Sequence, residues 1–243
     1  MLELRNICFS AEEDGVKKEI LKNINLTIDE RFVAITGPNG GGKSTLIKLI
    51  SGVLTPTSGQ ILLDGEDITN LSITERANKG ISYAFQQPVR FKGITVFDLV
   101  KLASGKDLTV SEACEYLSEV GMCARDYVNR EVNGSLSGGE LKRIEIATIL
   151  ARATKLSLFD EPEAGIDLWS FARLTETFEQ IHRQGTATMI IISHQERIIS
   201  LADEVIVVGD GSIRHRGSAA EILPQILSDT LGGCPVLSKE VHA

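Results

Sequence analysis

Between Ile24 and Asp29 the chain alternates. Ile24, Leu26 and Ile28 are apolar, while Asn25, Thr27 and Asp29 between and after them are polar, as in a half-buried strand of an antiparallel sheet. A second short β segment, Gln60 to Leu63, lies between Gly59 and Asp64-Gly65, which is hairpin chemistry. Phe32-Val33-Ala34-Ile35-Thr36 is a continuous run with a β-branched bias, which predicts a central parallel strand covered on both faces. Leu46, Ile47, Leu49 and Ile50 then recur at helical spacing until Gly52 ends the helix. The middle, about Val96 to Met122, is rich in helix formers, with Ala113, Leu117 and Val120 on one face. Leu156 to Phe159 and Met189 to Ile192 read as buried strands, with an amphipathic helix from about Trp169 to Gln184 between them. Glu204 to Val208 and Ser212 to Arg214 flank Gly209-Asp210-Gly211, a hairpin turn, and a helix near Ala219 to Leu227 follows. The expected class is α/β: a mixed-sheet core with an antiparallel β subdomain and a helical insert between about residues 88 and 135.

Composition narrows this picture. With 243 residues the chain is long enough for one large α/β domain, or a core plus a small lobe. Its 42% hydrophobic and 24% charged residues are ordinary for a soluble globular protein. A net charge of -8 argues against nucleic acid as the main partner, since that affinity rests on clustered lysine and arginine. The longest apolar runs fall far short of the roughly 20 residues that span a bilayer, and the N-terminus lacks a signal-peptide pattern. The expectation is a cytoplasmic protein without membrane insertion. The four cysteines show no C-x-x-C spacing, so Cys8, Cys114 and Cys123 are expected as buried thiols, and Cys234 falls in a loop-like tail.

The strand at Phe32–Thr36 runs directly into Gly37-Pro38-Asn39-Gly40-Gly41-Gly42-Lys43-Ser44. Strand, loop and helix in that order are the context required by G-x-x-x-x-G-K-[ST], the phosphate loop of a P-loop NTPase core. Glycines let successive backbone N–H groups turn toward one anion, and the helix N-terminus adds its dipole. Lys43 is placed to reach the β- and γ-phosphates and the Ser44 hydroxyl to ligate Mg²⁺. At the end of the strand Leu156 to Phe159 stand Asp160 and Glu161. Adjacent acids there are costly unless they meet a cation or a proton. Asp160 suits the metal, and Glu161 suits orienting or deprotonating an attacking water.

A second glycine motif, Leu136-Ser137-Gly138-Gly139-Glu140, opens another helix almost a hundred residues later. With it, Gly37 to Thr45, Gln86 in Phe85-Gln86-Gln87-Pro88, Asp160-Glu161, Ala164-Gly165-Ile166-Asp167 and His194 stand in the order of one family. Over Leu2 to about Leu227 the chain resembles the ABC-type ATPases. That resemblance implies the ABC ATPase fold as a single domain over residues 1–243, with ATP and Mg²⁺ as ligands and ATP hydrolysis as the activity. It implies an ATP-dependent homodimer packed head to tail, in which Ser137, Gly138 and Gly139 bind the γ-phosphate held by Lys43 of the partner subunit. By the same resemblance His194 contacts that phosphate, and Gln86 links the metal to an attached partner. Catalysis then falls to Glu161, His194 and Lys43, and the metal to Ser44, Gln86 and Asp160.

Three departures mark the chain. The aromatic that stacks on adenine should fall near Ala11, which has no ring. Glu140 stands where transport ATPases usually have glutamine, and Gln195 follows His194 where they commonly have aspartate. Together with Ala84 to Val89, Ser137 to Glu145 and Ser193 to Ile199, these departures resemble the SufC-type ATPases of iron–sulfur cluster assembly, Glu140 and Glu145 both replacing residues that are normally neutral in transporters. That implies a soluble SufB/SufD-like scaffold as partner. The helical insert is shorter than that branch implies, and Pro162 is the proline of transport ATPases, for which the partner is a membrane permease docked near Gln86. A regulator that binds nucleotide without turnover is disfavoured by Glu161 and His194.

Overall fold

The computed structural model describes residues 1–13, 15–185 and 187–232. Its elements in chain order are β1 (Leu2–Glu13), β2 (Val16–Ile28), β3 (Phe32–Thr36), α1 (Lys43–Ser51), β4 (Ser58–Leu63), β5 (Glu66–Asp67), α2 (Ile73–Asn78), β6 (Ile81–Ala84), α3 (Val96–Ser104), α4 (Val110–Glu119), α5 (Ala124–Tyr127), α6 (Gly138–Arg152), β7 (Leu156–Asp160), α7 (Leu168–Gln184), β8 (Thr188–Ile192), α8 (Glu196–Ile199), β9 (Glu204–Gly209), β10 (Ser212–Gly217) and α9 (Ala219–Gly232).

β3 is central, as its uninterrupted apolar run requires. All five of its residues are buried, and it pairs in parallel with both β8 and β9. The sheet order is β10-β9-β3-β8-β7-β6, with β10 alone antiparallel, on the edge. Side chains on β3 alternate between two cores: Phe32 and Ala34 face one, Val33 and Ile35 the other. The first core is shared with α3, α4, α6 and α7, and the second with α1 and the antiparallel sheet β2-β1-β4-β5. Ile24, Leu26 and Ile28 point into that second core, while Asn25 and Thr27 face out.

Both expected hairpins form. Asp64 and Gly65 have φ of 52° and 82° and join β4 to β5; Asp210 and Gly211 have φ of 50° and 77° and join β9 to β10. Two consecutive positive φ values give the turn whose twist suits paired strands. The second turn is tighter than expected, because Gly209 already pairs with Ser212. The helical insert is three helices, and Gly105, at φ 64°, ends the first of them. Ala113, Leu117 and Val120 are buried against the first core, as their spacing predicts.

The expectation of buried thiols is corrected. Cys123 is exposed at the N-cap of α5, and Cys8 and Cys114 are half-buried. Cys8 lies where the β1 pairing slips, and its Sγ accepts the Asn23 N–H at 3.2 Å. Cys234 lies outside the described residues. Among the described residues no helix is long and apolar enough to cross a membrane.

Candidate functional site

The parallel strands β3, β8, β7 and β6 are neighbours, so their C-terminal ends open on one edge of the sheet, where α/β folds bind ligands. That edge receives the loop after β3, Ser193-His194 after β8, Asp160-Glu161 at the end of β7 and Phe85-Gln86 after β6.

Sterics dictate the loop. A side chain at Gly37, φ 130°, would place its Cβ 2.1 Å from the Val208 carbonyl oxygen. Gly42, φ 103°, caps α1 in a conformation that L side chains rarely adopt. Lys43 is curled back onto the loop: its Nζ donates to the carbonyl oxygens of Gly37 at 2.8 Å and Pro38 at 2.9 Å. Burial lowers its pKa, with Glu161 and Asp160 opposing. The cleft over the loop is about 510 Å³ and is lined by Asn39 to Thr45, Glu161, Lys18, Asp210 and Gly211 among others.

Asp160 is buried and bridges two elements. One oxygen accepts the Ser44 hydroxyl at 2.9 Å, the other the Tyr83 hydroxyl at 3.1 Å. Burial and the nearby Asp160 push the Tyr83 pKa up, so it remains a donor. Glu161 has φ 46°, in the left-handed region that a glutamate seldom occupies. This turn brings its carboxylate between Gln86, whose Nε2 donates at 2.7 Å, and His194, whose Nε2 lies 3.6 Å away. His194 is braced in turn by Glu163, whose Oε1 accepts from the Ser193 hydroxyl at 2.6 Å and the His194 N–H at 3.3 Å. Burial raises the Glu163 pKa, with the Ser193 hydrogen bond opposing.

The second glycine motif stands apart from this cleft. Ser137 caps α6, its Oγ accepting the Glu140 N–H at 3.2 Å while Glu140 accepts the Ser137 N–H at 2.6 Å. This reciprocal capping box fits glutamate as well as glutamine. Burial tends to raise the Glu140 pKa, but hydrogen bonds from Tyr127 and Ser137 outweigh it and hold the carboxyl below its ordinary value. Gly139 is pressed against Ser170 at the start of α7, where a Cβ would meet Oγ at 2.5 Å. Gly138 lines a second cleft with Gln86, Pro88 and Gly165.

Of the residues expected from sequence, the structure thus unites Gly37 to Thr45, Gln86, Asp160, Glu161 and His194, and sets Ser137, Gly138 and Gly139 outside the cleft over the phosphate loop, with Gly138 meeting Gln86 only in the second one. Tyr83 and Glu163 escaped sequence reasoning, as did the place of the Asp210-Gly211 turn in the wall of the cleft. No ring stands at Ala11, and Phe9 packs against the second core.

The family model for ABC transporters matches residues 21–164. The chain is 38% identical over 214 residues to an uncharacterized ABC transporter ATP-binding protein of Methanocaldococcus jannaschii, which covers 84% of this chain and 85% of that one. It is 33% identical over 229 residues to the spermidine/putrescine import ATP-binding protein PotA of Mesoplasma florum, matching 91% of this chain but 63% of that longer protein. Among solved structures it is similar to the ATP-binding cassette MJ0796, captured as a dimer in a post-hydrolysis state with ADP and Pi: TM-score 0.80, 25% identity, 90% of this chain and 99% of that one. Fold, site and relatives agree that the chain belongs to the ABC transporter family, as one of its ATP-hydrolysing domains.

Proposed function

We propose that the chain is the ATP-binding subunit of a transporter, a single domain over residues 1–243 with a helical subdomain at about 88–135. The observation that carries this reading is an apolar groove of about 330 Å³ beside Gln86, lined by Ile73, Phe85, Pro88, Val89, Phe91 and Leu99 among others. Phe85, Val89 and Ile73 are large apolar side chains left exposed, as at a surface that awaits a partner. A permease segment seated there touches the residue next to Gln86, which already bonds Glu161. The transporter names of the relatives support the same reading.

Within the cleft the glycine loop cradles the triphosphate, and Lys43 exchanges two carbonyl oxygens for phosphate oxygens. Ser44 and Asp160 fit Mg²⁺: two hard oxygens 2.9 Å apart match neighbouring ligands of an octahedron with bonds of about 2.1 Å. With Gln86 they would hold the ion, which supplies charge neutralisation at the phosphates when bound. Glu161 takes the proton of the attacking water, and His194 steadies the γ-phosphate. Two copies pack head to tail, Ser137, Gly138 and Gly139 of each closing on the ATP of the other; the dimeric state of the MJ0796 cassette supports this arrangement. Hydrolysis removes the shared phosphate and the pair opens.

Because no aromatic ring lines the cleft among the described residues, discrimination between ATP and GTP is expected to be under about tenfold, as a stacking ring is worth about 1–3 kcal/mol. Competition binding checks this; a hundredfold preference for ATP would show another platform.

One observation favours a second reading, the SufC-type one. Glu145, which stands where transporters are neutral, is engaged with Lys142 and the Phe85 backbone. The relatives named above lend that reading no support. Co-expression with candidate partners, followed by size-exclusion chromatography, decides. The transporter reading expects a complex with an integral membrane protein in detergent; a detergent-free complex with a β-rich scaffold would overturn it.

A further inference from the structure

Lys142 and Glu145 lie three residues apart on α6 and so share a face. Lys142 is 2% exposed and its Nζ lies 3.6 Å from Oε2 of Glu145. Both side chains reach one further residue. Lys142 Nζ donates to the Phe85 carbonyl oxygen at 2.5 Å, and the Phe85 N–H donates to Glu145 Oε1 at 3.2 Å. Both backbone polar groups of Phe85 are thus held by an ion pair from another element. The next residue is Gln86, whose Nε2 donates to Glu161 at 2.7 Å.

We propose that Lys142 and Glu145 are positioning residues: they clamp Phe85 to α6, so that the helix opening with Ser137-Gly138-Gly139 sets the place of Gln86 and, through it, the carboxylate of Glu161. The inference rests on the roles assigned above to Gln86 and Glu161. Taking two charges out of water is unfavourable, and apolar side chains of similar volume often serve stability as well. Burial works against both charges here, lowering the Lys142 pKa and raising that of Glu145. The pair stands between the two surfaces a partner would touch. On one side is the start of α6, facing a second copy; on the other is the groove, whose lining includes Phe85, Ile144 and Glu145. Movement of α6 relative to the sheet edge is therefore carried to Gln86 by two bonds to one peptide residue.

A merely structural pair would alter melting and leave turnover at saturating ATP alone. The test replaces both charges at once, Lys142→Met with Glu145→Leu, so that no lone ion stays buried. Phe85 is 42% exposed, and water can take over its backbone. Lys142→Gln with Glu145→Ala carries the same expectation and covers failure of the first pair to fold. With MgATP as substrate and a fluorescent ATP analogue as binding probe, kcat is expected to fall at least tenfold with Kd unchanged within twofold. In a Gln86→Ala background the same pair of changes should cost less than a further twofold, since its route is already cut. Glu145→Gln keeps an acceptor for the Phe85 N–H and should stay within threefold of wild type. Unchanged kcat in the paired variant, or an equal loss with and without Gln86, overturns the clamp while the ATPase reading stands. Wild-type kcat in Gln86→Ala alone would instead remove the role assigned to Gln86, and the clamp with it.

Discussion

Glu161→Gln is expected to lower phosphate release at least a hundredfold while ATP affinity stays within about threefold. General-base assistance is worth about 10²–10⁴ in rate, and the substitution removes it at one atom. Geometry indicates that little else changes. The amide has the shape of the carboxyl, its oxygen can still accept from Gln86 Nε2, now at 2.7 Å from the carboxylate, and the backbone keeps the φ of 46° that aims the side chain. The buried neighbours Asp160 and Lys43 are untouched. With hydrolysis blocked and the γ-phosphate retained, a dimer should accumulate in MgATP, measured by light scattering on a sizing column. Wild-type phosphate release would remove Glu161 from the mechanism and return attention to His194. Full activity loss accompanied by loss of binding would mean that the carboxylate serves the loop instead of the water.

Much of this site was legible because its logic is local. An apolar strand that ends in glycines, a lysine and a hydroxyl states its own chemistry, and β3 leading into Lys43 could be read without tertiary information. The same holds for β7, whose buried run stops at Asp160. Tyr83 and Glu163 were not legible for the opposite reason. Tyr83 meets Asp160 across 77 positions, and Glu163 meets Ser193 across 30; nothing in either neighbourhood announces the partner. The thiols were misread because a small apolar residue is buried by default, whereas Cys123 occupies a cap. Glu145 was noticed as an anomaly of charge, but its bond to the Phe85 N–H depends on how α6 crosses β6.

Arg76 is the largest structural feature that the sequence concealed, and Arg76→Ala is expected to cost about 4 kcal/mol of stability. The side chain is 1% exposed, a burial that arginine seldom reaches without a carboxylate beside it. Its hydrogen-bond partners are carbonyl oxygens, Leu49 at 2.5 Å, Ile50 at 2.9 Å, Thr69 at 2.7 Å and Leu71 at 3.1 Å, while Asp67 acts on it through charge alone. Leu49 and Ile50 belong to the last turn of α1, whose carbonyls have no partner within the helix, and a cation there also meets the negative end of the helix dipole. Gly52 lets the chain turn away at φ 83°, and a Cβ at that position would come 3.0 Å from the Arg76 side chain. The alanine variant strips a donor from four acceptors at once, of which the Leu49 carbonyl keeps the Gly52 N–H at 3.3 Å. Each buried acceptor left unsatisfied costs about 1–3 kcal/mol; water entering the vacated space recovers part of it, which leaves a net loss near the stated figure. Because Lys43 begins the same nine-residue helix, the phosphate loop should loosen too, so a given concentration of MgATP should restore less stability to the variant than to wild type, since part of the binding free energy is spent re-forming α1. Urea denaturation with and without nucleotide measures both effects. An unchanged midpoint would show that water replaces Arg76 at all four carbonyls without loss, and Arg76→Lys, which keeps the charge but not the fork, should fall between the two.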